Sequence, residues 1–372
     1  MSSPVSAPPD SPPRTWAEID LTALKHNLSV IRDTSGQDTM AVLKAAAYGH
    51  DIKRIALALE DENIAFFGVA SVIEARRIHS TGSKTPIYLL GPTLADERAE
   101  IVSRRWIPSI SNKEEAKHLD SLNKATGNPP LSVHITVDTG MGRGGFLPNS
   151  LNESLNEILE LDHIVIEGIG SHLPSADEDK EFTHGQFNNF RKIVEGCHYQ
   201  FKYIHLANSA GILDYASSIC NLCRPGLMLY GVSPIKEYQN KLKPVMTLKS
   251  KITLIRELPQ GHGISYGRSV LLDKPTRIAT VGAGYGDGYP RSASGNNATV
   301  IIRGKRCPIV GRVTMDQIMV DVSSVTDALA GDEVELFGSQ ISVTEVAENA
   351  GTIAWEVLTR ITPRVTRLYL NS

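Results

Sequence analysis

The sequence has little of what marks several large classes of protein. Only four of its 372 residues are cysteines, and they are too scattered for a disulfide framework. Cys220 and Cys223 have C-x-x-C spacing, but no second pair completes a zinc site, so we interpret them as buried thiols and expect no metal site. No run approaches the roughly 18 apolar residues of a membrane span, so no membrane partner is expected.

An excess of charge of one sign is also missing. The net charge of −3 gives no field that would attract nucleic acid or an anionic membrane surface, so neither partner is expected. Residues 1–14, MSSPVSAPPDSPPR, are rich in proline and serine and lack the apolar segment of a signal peptide. They predict a disordered tail, and the cytoplasm is the expected compartment.

Short apolar runs alternate with amphipathic helical patterns over the first two thirds of the chain. The runs are continuous rather than alternating, which is typical of parallel strands buried on both faces. The eight candidate strands are residues 40–44, 66–70, 86–91, 106–110, 131–138, 164–173, 203–209 and 226–232. They predict an α/β fold with an N-terminal (β/α)8 TIM-type barrel over residues 15–243. A doubly wound sheet is the alternative, but its glycine-rich loop after the first strand is absent.

The pattern changes near Pro244 to short alternating strands broken by turn residues. We therefore expect a mostly antiparallel C-terminal β domain over residues 244–372, in which only Val343 to Arg360 is predicted to be helical. The run VGAGYGDGYP in this part has glycines at 282, 284, 286 and 288, which is not the dinucleotide spacing G-x-G-x-x-G. These glycines are predicted to shape a loop.

The barrel prediction brings polar residues together, because catalytic groups lie at the carboxyl ends of barrel strands. Four predicted strands end in or are followed by such residues, and Arg224 comes just before the eighth: Lys44, Asp138, Arg143, His172, Asn208, Ser209 and Arg224. A lysine amine can form a Schiff base with pyridoxal phosphate, and Tyr48, Ser209 and the Gly226 amide could hold its phosphate. These residues do not by themselves select a reaction.

Several motifs together are more specific. VLKAAAYGH resembles the pyridoxal-phosphate motif of alanine racemases, usually VKANAYGHG, and later segments resemble that family's further motifs in the same order: DTGMGRGG, SHLPSAD, HLANSAG, CRPGLMLYG, GISYGRS, GYGDGYPR and GRVTMDQ. The resemblance extends from Trp16 to Arg367. It implies an amino-acid racemase that interconverts L-alanine and D-alanine, and a head-to-tail homodimer with shared active sites. It also implies D-alanine supply for a bacterial cell wall.

The resemblance also implies a role for individual residues. Lys44 binds pyridoxal 5′-phosphate and is one of two bases, and Tyr266 is the second base, supplied by the partner subunit. Arg224 faces the pyridine nitrogen, His172 links it to the tyrosine, and Arg143 lies near the phenolic oxygen and the substrate carboxylate. The remaining cofactor-binding residues are Tyr48, Asn208, Ser209, Gly226 and Leu227, and the remaining substrate-side residues are Met315 and Tyr285, both from the partner.

The chemistry agrees with this assignment. Racemisation removes the α-proton on one face and returns one on the other, so it needs two bases on opposite faces. An arginine opposite the pyridine nitrogen makes protonation of that nitrogen unfavourable, which disfavours side reactions such as transamination. A carboxylate there would suit a decarboxylase or a transaminase instead.

Three positions depart from the family pattern. Thr136 stands where many members have a carbamylated lysine that steadies the neighbouring arginine, so Arg143 must be held by an anion such as chloride, by water, or by Asn or Thr hydrogen bonds. Pro363 replaces a tyrosine that often binds the phosphate, and Ala46 replaces the usual asparagine. These changes leave the reaction type intact but put the breadth of substrate in doubt.

Two other functions compete with an alanine racemase. One is a broader racemase or a barrel-type decarboxylase, and Arg224 together with the Tyr266 motif disfavours the decarboxylase. The other is a non-catalytic pyridoxal-phosphate carrier. Such carriers are single barrels, so the second domain with its own tyrosine argues against that reading.

Overall fold

The computed structural model describes residues 13–215 and 219–371. Most of the expected N-terminal tail, residues 1–12, lies outside the described residues. The chain divides into two compact units, which we call the barrel unit and the β unit. The barrel unit is Leu21–Lys243. The β unit has two segments, residues 13–20 and Pro244–Asn371.

Eight parallel strands form the sheet of the barrel unit, and each pairs with the next along the chain as far as the seventh. They are Asp38–Val42, Phe66–Val69, Ile87–Leu89, Ile107–Ile110, Leu131–Thr136, Ile164–Gly170, Tyr203–His205 and Leu222–Cys223. The eighth strand pairs in parallel with the first, which brings the sheet round into a nearly closed barrel and confirms the predicted fold. Hydrogen bonds from the Asn221 and Arg224 amides to the Ile204 and Ala207 carbonyl oxygens join the seventh and eighth segments.

The eighth strand differs from its prediction. It is Leu222–Cys223, whereas the predicted segment 226–232 contains a 3-10 helix, Leu227–Tyr230. Pro225 cannot donate to a strand ladder, and Gly226 turns the chain (φ −112°, ψ −88°), so the strand ends before them. Every residue of the 3-10 helix is buried. The segment is therefore a continuous apolar run, which is the same sequence pattern that an interior strand has.

Helices separate most of the barrel strands, and side chains that accept a hydrogen bond from the first turn start several of them. Ser71, Asn112 and Asp179 do this at three helices. The α-helices of this unit are Leu21–Ser35, Ile52–Leu59, Val72–His79, Arg98–Arg104, Lys113–Thr126, Leu151–Leu159, Lys180–Gly196 and Ser209–Asp214, and a second 3-10 helix is Lys236–Lys241. Within the described ranges, no helix is long and apolar enough to cross a membrane.

Large apolar side chains fill the barrel, which is therefore a packed core rather than a pore. One buried cluster draws a residue from each of five strand regions: Met40, Phe66, Tyr88, Ile107 and Leu222. Burial of aliphatic and aromatic side chains of this size contributes roughly 1.5–3 kcal/mol each. The packed interior leaves the strand ends and the loops that follow them as the place for a site.

The β unit is built on the 13-residue strand Met246–Leu258, which pairs antiparallel with three other strands. The remaining strands are Thr15–Asp20, Gly263–Ile264, Val270–Leu271, Thr276–Val281, Thr299–Ile302, Lys305–Pro308, Ile318–Asp321, Glu333–Phe337 and Thr366–Leu370. Its helices are Val343–Ala350 and Ala354–Thr359, with short 3-10 turns at Tyr266–Arg268 and Arg291–Ala293. Gly351, in the left-handed conformation, ends the first of these helices.

The first strand, Thr15–Asp20, belongs to the β unit, although the sequence placed residues 15–20 in the barrel. It pairs antiparallel with Met246–Leu258 and parallel with Thr366–Leu370. Trp16, Ala17 and Ile19 are buried there. The strand directly precedes the helix Leu21–Ser35. This order along the chain resembles the strand–helix repeat of the barrel, which is why the sequence predicted that residues 15–20 belong to the barrel.

Candidate active site

Lys44 lies at the carboxyl end of the first barrel strand. That strand ends at Val42, and Lys44 opens a short turn two residues later. The next four residues, 45–48, all have a left-handed backbone, with φ between 52° and 56°. This conformation costs a residue with a side chain roughly 1–2 kcal/mol. Contacts around the turn must therefore hold it in place.

The rings of His50 and Tyr230 pack against this left-handed turn and support it. His50 donates from Nδ1 to the carbonyl oxygen of Tyr48 at 2.8 Å. The Tyr230 ring stacks on the Tyr48 and His50 rings, in each case with 4.7 Å between centroids. The Tyr230 hydroxyl donates to the carbonyl oxygen of Val42 at 2.9 Å, which ties the turn to the strand before it. His50 is thus part of the structural support of the lysine loop.

Hydroxyls and backbone amides converge beside the turn. The Ser209 hydroxyl oxygen accepts from the backbone amides of Gly226 (3.0 Å) and Met228 (3.2 Å). A Cβ at position 226 would lie 2.3 Å from the hydroxyl oxygen of Tyr48, so only glycine allows this approach. Burial raises the pKa of Tyr48 to about 12, which keeps its hydroxyl protonated and able to donate. This donor set fits a phosphate group.

Asn208 positions Ser209 through hydrogen bonds to the backbone. Its side-chain oxygen accepts from the Gly211 amide at 3.0 Å and so caps the helix Ser209–Asp214. Its amide nitrogen donates to the Leu173 carbonyl oxygen, also at 3.0 Å. The Asn208 side chain therefore connects the loops that follow the sixth and seventh barrel strands.

Arg224 is buried at the same end of the barrel, with 7% of its surface exposed. Its guanidinium donates to the carbonyl oxygens of Ser171 (2.5 Å) and Leu206 (3.2 Å). It also hydrogen-bonds Nδ1 of His205 and lies 3.4 Å from Nδ1 of His172. Burial lowers the pKa of Arg224, but a guanidinium starts so high that it stays charged.

The contacts of Arg224 determine the tautomers of the histidines beside it. A guanidinium only donates, so Nδ1 of His172 and of His205 must accept, and each ring carries its proton on Nε2. Nε2 of His205 then donates to Nδ1 of His134 at 3.0 Å. Burial, and next the Arg224 cation, lower the pKa values of His172 and His134 to about 3. Both imidazoles are therefore neutral near pH 7.

The loop after the fifth strand carries Arg143 and is organised by one carboxylate. Asp138 accepts hydrogen bonds of 2.8–3.2 Å from the backbone amides of Gly140, Met141 and Gly142. Burial raises its pKa, but these amides outweigh that effect and hold it below its ordinary value. Arg143 is exposed, and none of the described residues accepts a hydrogen bond from it. Its guanidinium is available to an anionic group.

Thr136 does not hold Arg143 by a hydrogen bond, which was one of the options the sequence left open. Its hydroxyl instead pairs with the hydroxyl of Ser109 on the neighbouring strand. Tyr88, packed beside these groups, is fully buried among the aromatic side chains of the barrel interior.

The Lys44 amine lies in a field of opposing charges. Burial is the largest cause that lowers its pKa below the ordinary lysine value, and the Arg143 cation lowers it further. The Glu74 carboxylate acts in the opposite direction, followed by a smaller lowering from Arg224. A lysine with a lowered pKa has a larger neutral fraction near pH 7, which suits both a nucleophile and a base.

The remaining residues expected at the site lie on the β unit and are exposed there. Tyr266 starts a 3-10 turn with 69% of its surface exposed, and Met315 and Tyr285 are exposed to 52% and 39%. Pro363, in the last loop of the chain, has no polar group with which to replace a tyrosine hydroxyl. The β unit thus presents an exposed phenol.

Arg364 fastens the loops that carry Tyr285 and Met315. It pairs in a fork with the buried carboxylate of Asp287, at 2.7 and 3.0 Å, and also contacts Asp316 at 2.8 Å. The Tyr285 amide donates to the Thr314 carbonyl oxygen at 3.0 Å, which links the same two loops. One arginine near the end of the chain therefore ties three segments of the β unit together.

The sequence interpretation missed Glu74, Tyr230 and His205. The spacing Ser71-x-x-Glu74 is that of a capping box and would have marked a helix start, but nothing in it shows that the glutamate reaches another loop. Tyr230 and His205 lay within apolar runs and gave no separate signal. Among the described residues, no group of three or more histidine, cysteine or acidic side chains could hold a metal ion.

The fold and the site together define a two-domain barrel enzyme with a lysine-centred site at the carboxyl ends of the strands. The family model "Alanine racemase, N-terminal domain" matches residues 19–234, and "Alanine racemase, C-terminal domain" matches residues 245–369. The chain belongs to the alanine racemase family.

Relatives along the whole chain agree with this membership. The chain is 39% identical over 369 residues to an alanine racemase of Halothermothrix orenii, covering 96% of this chain and 97% of that one. It is 40% identical over 365 residues to that of Methylacidiphilum infernorum, covering 96% and 93%. Its fold is similar to the solved alanine racemase of Clostridium difficile 630, with a TM-score of 0.91, 35% identity and 97% of both chains covered.

Proposed function

We propose that the protein is an alanine racemase that interconverts L-alanine and D-alanine with pyridoxal 5′-phosphate. The observation that carries the proposal is the position of Lys44, on the barrel rim beside the donors of Tyr48, Ser209 and Gly226. The relatives at 39–40% identity, matched over nearly their full length, support the same reaction and substrate.

The described donors fit the cofactor that the family implies. The Lys44 amine would bond the cofactor's aldehyde carbon, and the hydroxyls of Tyr48 and Ser209 with the Leu227 amide would hold its phosphate. The Gly226 amide would join them by exchanging its hydrogen bond to Ser209 for one to the phosphate. Asn208 keeps Ser209 in position through the helix cap. When bound, pyridoxal phosphate withdraws electrons from the substrate's α-carbon and so makes its proton acidic.

Two residues exchange protons with the α-carbon in this proposal. Lys44, with its lowered pKa, takes or returns the proton on one face. Tyr266 acts on the opposite face and comes from a second copy of the chain. His172, whose Nε2 carries its proton, would donate to the tyrosine oxygen and so favour its anionic form.

Arg224 controls the electron demand of the cofactor in this proposal. With the cofactor bound, the permanent cation of Arg224 would face the ring nitrogen and would disfavour its protonation, because two positive charges in a buried site repel each other. The hydrogen bonds of Arg224 to Ser171 and Leu206 fix the guanidinium in place. Arg143, exposed and without a hydrogen-bond acceptor among the described residues, would receive the substrate carboxylate.

A substrate panel tests the proposed function. Purified protein supplied with pyridoxal phosphate is mixed separately with L-alanine, D-alanine, L-serine and L-lysine, and optical rotation is followed. We expect both alanine solutions to lose rotation and converge on the racemic value, with serine and lysine slower. A protein that shows the Schiff-base absorbance band but leaves both alanine solutions unchanged would contradict the proposal.

We also propose a head-to-tail homodimer in which the barrel unit of one copy and the β unit of the other share each active site. The exposure of Tyr266, Tyr285 and Met315 supports this, because these side chains have large surfaces that a partner would cover. Sedimentation combined with activity at decreasing concentration tests it. A monomer with full activity would contradict the arrangement.

The cellular role that we propose is supply of D-alanine for a bacterial cell wall, from the cytoplasm. Deletion of the gene in its host should then create a requirement for D-alanine. Growth of the deletion strain without added D-alanine, and with no second racemase activity in its extract, would contradict this role.

A further inference from the structure

Glu74 connects two neighbouring strand–helix units of the barrel. It lies in the first turn of the helix Val72–His79, where the Ser71 hydroxyl oxygen accepts from its amide at 3.4 Å. One carboxylate oxygen accepts from the Ala70 amide at 2.9 Å, just before the helix begins. The other accepts from the Ala45 amide at 2.6 Å, across the rim in the preceding unit.

The same device occurs a second time in the barrel, away from the lysine. Glu115 follows the cap Asn112 at the same spacing and accepts from the Ser111 amide at 3.1 Å. Its other oxygen accepts from the amide and hydroxyl of Thr93, in the preceding unit. Both glutamates therefore fasten the loop of the previous unit, but only Glu74 fastens the loop that carries the lysine.

The position of the Ala45 amide gives the Glu74 contact its importance. Ala45 directly follows Lys44 and is the first residue of the left-handed turn. Such a turn persists only where its surroundings over-determine it. Tyr230 and His50 hold the far end of the turn, whereas Glu74 holds the end next to the lysine.

Charge provides a second consequence. Arg143 and Arg224 both act on Lys44 as cations, and Glu74 is the carboxylate that opposes them. Without that carboxylate, the amine would lose its proton at lower pH.

We propose that Glu74 is a positioning residue for Lys44: its carboxylate fixes the start of the left-handed turn and offsets the positive charges around the amine. The proposal deepens the proposed function, because it concerns the lysine to which that function assigns the chemistry. It concerns only residues of this chain, so it can be tested with no cofactor bound.

Glu74→Gln separates the charge from the hydrogen bond, because the amide keeps one acceptor oxygen and nearly the same shape. The test uses the full chain after removal of any cofactor, and measures by mass spectrometry how fast an acylating reagent modifies Lys44 at several pH values. We expect the pH midpoint of modification to fall in Glu74→Gln, so that labelling near neutral pH becomes about 3–10-fold faster, as a midpoint shift of 0.5–1 unit gives. Glu115→Gln is the matched control and should leave the midpoint unchanged.

Hydrogen exchange tests the mechanical role. In Glu74→Ala, the Ala45 amide should lose protection, whereas Glu74→Gln should retain most of it. A wild-type labelling midpoint in Glu74→Gln, or unchanged Ala45 protection in Glu74→Ala, would overturn the proposal. A shifted midpoint in a protein that racemises no alanine would instead contradict the proposed function and leave the role of Glu74 standing.

Discussion

At the scale of single residues, the site depends on backbone conformations that most side chains avoid. Ala46 has φ 55° in the middle of the left-handed turn, where the family motif usually has asparagine. Asparagine and glycine adopt this conformation at lower cost than alanine. The alanine in this chain is therefore a local source of strain next to the lysine.

Replacement of Ala46 should relieve that strain. We expect Ala46→Gly to raise the free energy of unfolding by about 0.5–1 kcal/mol, since the relief exceeds the extra entropy lost by glycine. Chemical denaturation measures the change. Ala125→Gly, on the exposed part of the helix Lys113–Thr126, is the control and should lower the free energy by up to about 1 kcal/mol. A similar loss in both variants would show that the turn is unstrained.

Tyr266 allows a direct test of the second base. Tyr266→Phe removes the hydroxyl while keeping the ring, so racemisation should fall by at least about 100-fold and cofactor binding should persist. Isotope exchange at the α-carbon of L-alanine measures the first, and the Schiff-base absorbance band the second. Tyr199→Phe, which removes a hydroxyl that binds the Ile166 carbonyl oxygen, should keep its exchange rate. Equal exchange rates in Tyr266→Phe and the natural protein would show that Tyr266 is not the second base.

At the scale of elements, loops are fixed by side chains that lie far away in sequence. Arg364 ties the loops of Tyr285 and Met315, and the Asp287 carboxylate that it binds is 5% exposed. A buried carboxylate that loses its partner retains its desolvation cost. The loops of Tyr285 and Met315 are thus coupled to the turn before the strand Thr366–Leu370.

Arg364→Met should loosen this connection. We expect the free energy of unfolding to fall by about 1–3 kcal/mol. If the Tyr285 and Met315 loops contact substrate as proposed, the KM for alanine should rise more than kcat falls, because these loops lose their anchor. Thermal denaturation and steady-state kinetics measure the two effects. Arg303→Met, which breaks ion pairs with Asp327 and Asp332 on the surface, is the control and should leave KM unchanged. An unchanged KM in Arg364→Met would show that the contacts of Arg364 do not affect substrate binding.

The sequence predicted elements well where one physical pattern dominated. Continuous apolar runs gave seven barrel strands to within a few residues, because burial on both faces requires that pattern. It failed at residues 226–232, where burial of a 3-10 helix produces the same pattern. It also misplaced the strand Thr15–Asp20, because its partners are more than 200 residues away along the chain.

At the scale of the whole molecule, buried neutral histidines link stability to pH. His172 and His134 have pKa values of about 3, below the ordinary value near 6.5 in an unfolded chain. Between these values the unfolded chain binds more protons than the folded one. The free energy of unfolding should therefore decrease as the pH falls from about 6.5 towards 3, by up to ~1.4 kcal/mol per pH unit for each histidine.

His134→Gln tests this linkage. The variant lacks one buried imidazole, so its free energy of unfolding should depend less steeply on pH below about 6.5, by roughly one proton. Chemical denaturation at pH 5, 6 and 7.5 measures the slope, and calorimetry in buffers of different ionisation enthalpy counts the protons taken up on unfolding. Identical slopes and proton counts in the variant and the natural protein would contradict the assignment of His134 as neutral in the folded state.

The sequence by itself determined the barrel, the following β domain and the residue types at the strand ends, because burial and the period of the strand–helix repeat are properties of the chain. It also carried the family motifs, from which Lys44 and Tyr266 are predicted to be the two bases. Only the tertiary structure decided how Lys44 is held. The left-handed turn, the support from Tyr230 and the reach of Glu74 to the Ala45 amide depend on contacts between segments that no local pattern encodes.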